Sequence, residues 1–184
     1  MERELVRIEA EDRLMDDVIS ELKHRARRLQ RLCASGDPEA LARVAAARSR
    51  RDPVPESLRR RDCLNALARE VGFANWPQAR AALRGVPAAD FGDLLYPPEC
   101  SAHWNLWCAN YAEAQTLRAE TGGYLLPYRM QFFVADEHFI RTLGLNPQDP
   151  DWTRMGHDWA RPQDRAARTR LTQQLVALRS RAVG

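Results

Sequence analysis

A chain of 184 residues, 45% hydrophobic and carrying a net charge of +3, can bury a core without metal or disulfide staples and is read as two compact units. No apolar run reaches bilayer-spanning length, and the acidic opening MERELVRIEAED lacks the positive-then-apolar order of a secretory signal, so a cytoplasmic protein with no membrane partner is expected. Cys33, Cys63, Cys100 and Cys108 are too dispersed for a secreted disulfide scaffold and are read as reduced thiols.

The small net charge hides strong segregation. Residues 1–21 carry −5, residues 22–61 carry +8, residues 62–84 carry +1, residues 85–158 carry −6 and residues 159–184 carry +5. A basic surface beside an acidic half faces either an acidic partner or the chain's own carboxylates.

In chain order, residues 3–34 predict one long helix. Leu5, Ile8, Met15, Ile19, Leu22, Ala26, Leu29 and Cys33 follow a 3,4 spacing broken by Asp12. Such a stripe packs first on later helices of its own chain; the alternative is a homodimeric coiled coil through residues 5–33 with Asp12 setting register. Gly36 ends the helix, Asp37 with Pro38 starts another over Leu41, Val44 and Ala45, and Ser57 after Pro53 and Pro55 is the expected cap of the next. The N-terminal unit, residues 1–85, is therefore a helical bundle.

Residues 61–84 predict two short helices joined by a tight turn. Leu64, Leu67, Ala68 and Val71 form one apolar face, Gly72 is the C-cap and Phe73 the clamp behind it. Asn75 caps a second helix whose inner face is Trp76, Ala79 and Leu83, closed by Gly85. Residues 86–100, with three prolines, connect the units but hold Phe91, Leu94, Leu95 and Tyr96, too apolar to be free in water.

Residues 101–184 are expected to form a smaller α+β unit with one or two short strands, making the whole mainly α. Ala102–Glu120 predicts a helix carrying Trp104, Trp107, Cys108, Tyr111 and Leu117. Tyr124–Val134 predicts β structure with Tyr128, Met130, Phe132 and Val134 on one face and Arg129 opposite. Pro127 marks it as an edge strand or two short strands with a kink, pairing near Leu94–Tyr96 or with another copy. Asp136 caps a helix ended by Gly144, NPQDPDW supplies another cap, and Pro162 opens a final helix with Leu171, Leu175 and Leu178 along one side.

The hairpin resembles the helix-turn-helix of bacterial repressors in the order Ala68, three residues, Gly72, then an apolar residue and a second helix. The segment CLNALAREVGFANWPQA, ahead of YLLPYRMQFFV and LGLNPQDPDW, also resembles an uncharacterised bacterial protein family. That resemblance implies a reusable module and no activity.

Nucleic-acid binding is the function ranked first. Arg59, Arg60, Arg61 and Arg69 would hold phosphates, with Asn75, Gln78 and Arg80 reaching bases. An αα-hairpin used only for packing has the same pattern. The runner-up is a small-molecule enzyme or ligand-binding protein with a site near Cys100, His103, Arg129 and His157, and a dimeric helical scaffold is third. Cys100, His103 and Cys108 have poor spacing for a metal, and no cofactor motif is present, so neither metal nor cofactor is expected.

Overall fold

The computed structural model describes residues 2–48, 58–84, 86 and 90–182, with side chains placed from residue 16 to residue 180 of these. Helix α1 spans Glu2–Ala34. From Ile19 onward its stripe is spent inside the chain, with Ile19, Leu22, Ala26, Leu29 and Cys33 each 3% exposed or less. The side chains of Leu5, Ile8, Asp12 and Met15 lie outside the described residues. Gly36 turns the chain at φ 79°, and the Asp37 carboxylate accepts the Ala40 N–H at 2.8 Å to start α2 (Pro38–Ala46).

Helix α3 (Arg60–Glu70) packs along α1. Arg59 is its N-cap residue, and the backbone N–H of Arg59 donates to Asp62 at 2.9 Å. Ser57, Pro53 and Pro55 lie outside the described residues. The turn after α3 follows the expectation: Gly72 is at φ 102°, and the Phe73 N–H donates to the Ala68 carbonyl at 2.9 Å while its ring is buried. Helix α4 (Trp76–Leu83) begins where Asn75 accepts the Gln78 N–H at 2.9 Å; Ala79 and Leu83 are buried and Trp76 half-buried. Gly85 lies outside the described residues.

The connecting segment is part of the core. Phe91, Leu94 and Leu95 are buried, and the chain makes two single 3₁₀ turns, Gly92–Leu94 and Pro98–Cys100. Leu94–Tyr96 therefore supplies no strand to the sheet.

One expectation for the second half is corrected and one choice between alternatives is decided. Residues 102–120 are not one helix: Leu106–Cys108 is strand β1, and α5 (Tyr111–Thr121) starts only after Asn110, which accepts the Glu113 N–H at 3.0 Å. The physical reason is tertiary, because β1 pairs antiparallel with a strand that follows later (Leu106 opposite Val134, Cys108 opposite Phe132). Of the two forms expected for Tyr124–Val134, the chain takes the two short strands, β2 (Tyr124–Tyr128) and β3 (Gln131–Ala135), joined by a hairpin turn rather than by a kink at Pro127. Arg129 at φ 53° and Met130 form its two-residue turn, which reverses the alternation. Tyr124, Leu126, Phe133 and Ala135 thus enter the main core, whereas Leu125 lies with Cys108, Phe132 and Ala114 under α5.

The sheet order is β1-β3-β2. At the outer edge of β2, the Leu125 N–H donates to the His157 carbonyl and the Leu125 carbonyl accepts the Trp159 N–H, both at 2.9 Å. Pro127 shares that outward parity, where a missing N–H costs nothing.

Helix α6 (Glu137–Leu143) is capped by Asp136 and ended by Gly144, and α7 (Pro150–Arg154) is capped by Asp149. Helix α8 (Arg165–Ala182) starts three residues after Pro162, with Asp164 accepting the Ala167 N–H at 3.1 Å. Leu171 and Leu175 are fully buried, but Leu178 is 42% exposed, so the inner stripe stops short of it. One continuous core draws on both halves, bringing Ile19, Val71 and Phe73 together with Phe133, Trp152 and Leu171. Among the described residues no helix is long and apolar enough to cross a membrane.

Candidate nucleic-acid interface and neighbouring clefts

Arginine placement follows from how α1 meets α3. Cys33 and Cys63 are buried together in the helical core, so the last turn of α1 and the first turn of α3 share one end of the bundle. Arg27, Arg28 and Arg31 are exposed on α1, and Arg59 and Arg61 are exposed at the start of α3. Arg61 and Arg69 lie eight residues apart on one face of α3, about 12 Å along its axis. The neighbouring cations are already used: Arg43 grips Glu70 through two 2.9 Å bonds, Arg48 lies 3.4 Å from Asp62, and Arg25 reaches Glu21 at 2.7 Å. Among the described residues, Arg27, Arg28, Arg31, Arg59, Arg61 and Arg80 have no ion-pair partner. Arg60 is half-buried, and its Nε is buried without a hydrogen-bond partner among the described residues.

The remaining hairpin residues are largely occupied by the fold. Asn75 is the α4 cap. Gln78 accepts the Ala74 N–H at 2.5 Å through Oε1 and donates from Nε2 to Asp90 at 2.8 Å. Arg69 donates to the Ala74 carbonyl at 3.0 Å and the Ala47 carbonyl at 2.6 Å, tying the turn to the end of α2 while staying exposed. Arg80 projects outward from α4. Of the three residues expected to reach bases, two are therefore committed to holding the hairpin together.

Asp90, which sequence reasoning did not single out, joins the two halves. Besides Gln78 it accepts the Gly92 N–H at 2.8 Å and the Arg129 N–H at 3.3 Å. Its position in a proline-containing connection carries no local signal. Around it opens a cleft of about 380 Å³ in which Arg69 and Arg129 stand with Asp93. The Arg129 guanidinium lies 5.0 Å from the Tyr128 ring centroid. Tyr128 belongs to an aromatic cluster in which Tyr96 sits 5.1 Å from Tyr128 and 5.4 Å from Trp107.

The alternative ligand residues are dispersed. Cys100 is buried, and burial pushes its thiol up to about 11. His103 Nε2 is 2.8 Å from Thr142 Oγ1. Arg129 lines the cleft just described. His157 lines another, of about 560 Å³, with Trp104, Tyr124, Val134 and Glu137. There the imidazole lies 5.2 Å from the Tyr124 ring, and burial first, then the charge of Arg118, lowers its pKa and favours the neutral form. His157 also holds φ 53°, and Trp104 at the cleft mouth is 90% exposed. Among the described residues no group of three or more His, Cys, Asp or Glu is arranged to hold a metal. Compared with protein families, with curated proteins and with solved structures, the chain matches none.

Proposed function

We propose that this is a non-enzymatic nucleic-acid-binding or regulatory protein that holds phosphates with the arginines of α1 and α3. The observation that carries the reading is the set of exposed arginines, Arg27, Arg28, Arg31, Arg59 and Arg61, brought to one end of the bundle with no ion-pair partner among the described residues. Neighbouring arginines are matched to carboxylates, so these five leave an excess of positive charge open to a polyanion. Asn75 and Gln78 serve the hairpin's own geometry, so affinity rests on backbone contacts and is weakly sequence-dependent. Fluorescence anisotropy with oligonucleotides across a salt series tests this. Binding should fall steeply with salt, and the triple variant Arg59→Glu, Arg60→Glu, Arg61→Glu should lose about tenfold or more in affinity. Unchanged affinity in that variant would refute the reading.

A second reading has one observation in its favour. The 560 Å³ cleft, with its exposed Trp104 and neutral His157, has the size of a small-molecule site. It predicts saturable quenching of Trp104 fluorescence by a small ligand, abolished in Trp104→Phe. A metabolite panel that produces no such quenching in the wild type would remove this reading.

A further inference from the structure

We infer that the nucleic acid is single-stranded and that its bases stack on Trp107 of β1, beside Tyr128 and close to the β2–β3 turn, an inference that rests on the phosphate-binding reading above. The geometry begins with the arginine track. Arg61 and Arg69 share one face of α3, and Arg69 stands in the same cleft as Arg129. The track therefore leads from the basic end of the bundle to the hairpin turn.

Close to that turn, on β1, the protein leaves an aromatic side chain partly uncovered. Trp107 is 41% exposed although its indole packs on Phe133, with centroids 4.9 Å apart and planes inclined at 34°. Tyr96 and Tyr128 close round its edge at 5.4 and 5.9 Å. The indole is thus held by three neighbouring rings while two-fifths of its surface stays open, a preorganised platform. Arg129 lies over Tyr128, and Met130 beside it is 88% exposed, giving a cation and a soft apolar surface at one place. Every unpaired base has a π-face that can stack on such a platform, whereas a duplex keeps its bases inside.

The carboxylates nearby sharpen the test. Asp90 is held by the Gln78, Gly92 and Arg129 donors, but Asp93 is exposed in the cleft and opposes an approaching phosphate. Removing its charge should strengthen binding.

The experiment measures affinity of the full chain for oligo(dT), oligo(U) and a duplex of equal length at one low salt concentration. Both single strands should bind about tenfold or more tightly than the duplex. Trp107→Ala should bring single-strand affinity down to the duplex level, Trp107→Phe should keep most of it, and Asp93→Asn should raise it about two- to threefold. The wild-type ratio of single strand to duplex decides the matter even if Trp107→Ala proves too unstable to assay. Equal affinity for single strand and duplex would overturn this inference and leave phosphate binding standing. Absence of binding to all three probes would overturn both.

Discussion

Gly72 and Leu94 approach so closely that a Cβ placed on Gly72 would lie 2.5 Å from the Leu94 backbone nitrogen. The turn between α3 and α4 is therefore pressed flat against the chain that follows the hairpin. Gly92 completes the contact, since a Cβ there would lie 2.8 Å from the Gly72 carbonyl oxygen. Two backbones touch where any side chain would separate them.

Gly72→Ala should therefore destabilise the protein by at least about 2 kcal/mol, combining the positive φ with a clash against backbone that cannot swing away. Gly36→Ala is the control. It too has positive φ, but nothing lies within 4 Å of its added Cβ, so its cost should stay near about 1 kcal/mol. Urea unfolding of the pair checks this, and equal losses would show that the Leu94 contact contributes nothing.

Gln78→Ala should cost about 1–2 kcal/mol, because it removes the partner of the Ala74 N–H and one of the three donors to Asp90. Nucleic-acid affinity measured well below the melting temperature should change less than about twofold. A changed base preference at unaltered stability would instead make Gln78 a reader of bases.

Asp151 is buried and receives three charged hydrogen bonds, two from Arg170 at 2.7 and 2.6 Å and one from Arg154 at 2.8 Å. The Arg170 hydrogen bonds, ahead of desolvation, which opposes them, hold its carboxyl below the ordinary value of 3.8. A depressed carboxylate pKa contributes stability that is complete above the unfolded value and is lost as pH falls through the folded one. Asp151→Asn should cost about 1–3 kcal/mol at neutral pH, with the difference from wild type narrowing as pH drops below about 3.8. Denaturant midpoints for both proteins across that range measure it. A difference that does not vary with pH would place the effect in packing rather than charge.

All four cysteines are buried and free, and burial pushes the thiols of Cys63 and Cys100 up to about 11. The native protein at mildly alkaline pH should consume almost no Ellman's reagent over minutes, and all four thiols should react once urea unfolds it. Fast labelling of any one in the native state would contradict the packing described for it.

The local chemistry of the chain was enough to predict the helical hairpin and most helix ends. Asp37, Asn75, Asp136 and Asp149 each accept an N–H within the next three residues, and Gly36, Gly72 and Gly144 each turn the chain at positive φ, so the determinants lie within a few positions of the effect. The buried half of the α1 stripe was likewise written in its period, from Ile19 to Cys33. What only the tertiary structure decided involves partners far apart in sequence. Leu106–Cys108 is a strand because β3 lies beside it, and the aromatic periodicity that suggested a helix could not reveal that. The two-residue turn at Arg129 and Met130 reversed the faces of the β segment, sending Phe133 into the core and Phe132 under α5. The same long-range logic governs the candidate site. Charge blocks identified where arginines are abundant, but whether each meets a carboxylate or water depends on which helix faces it: Arg43 finds Glu70 across the bundle, while Arg61 on the outer face of α3 finds none among the described residues.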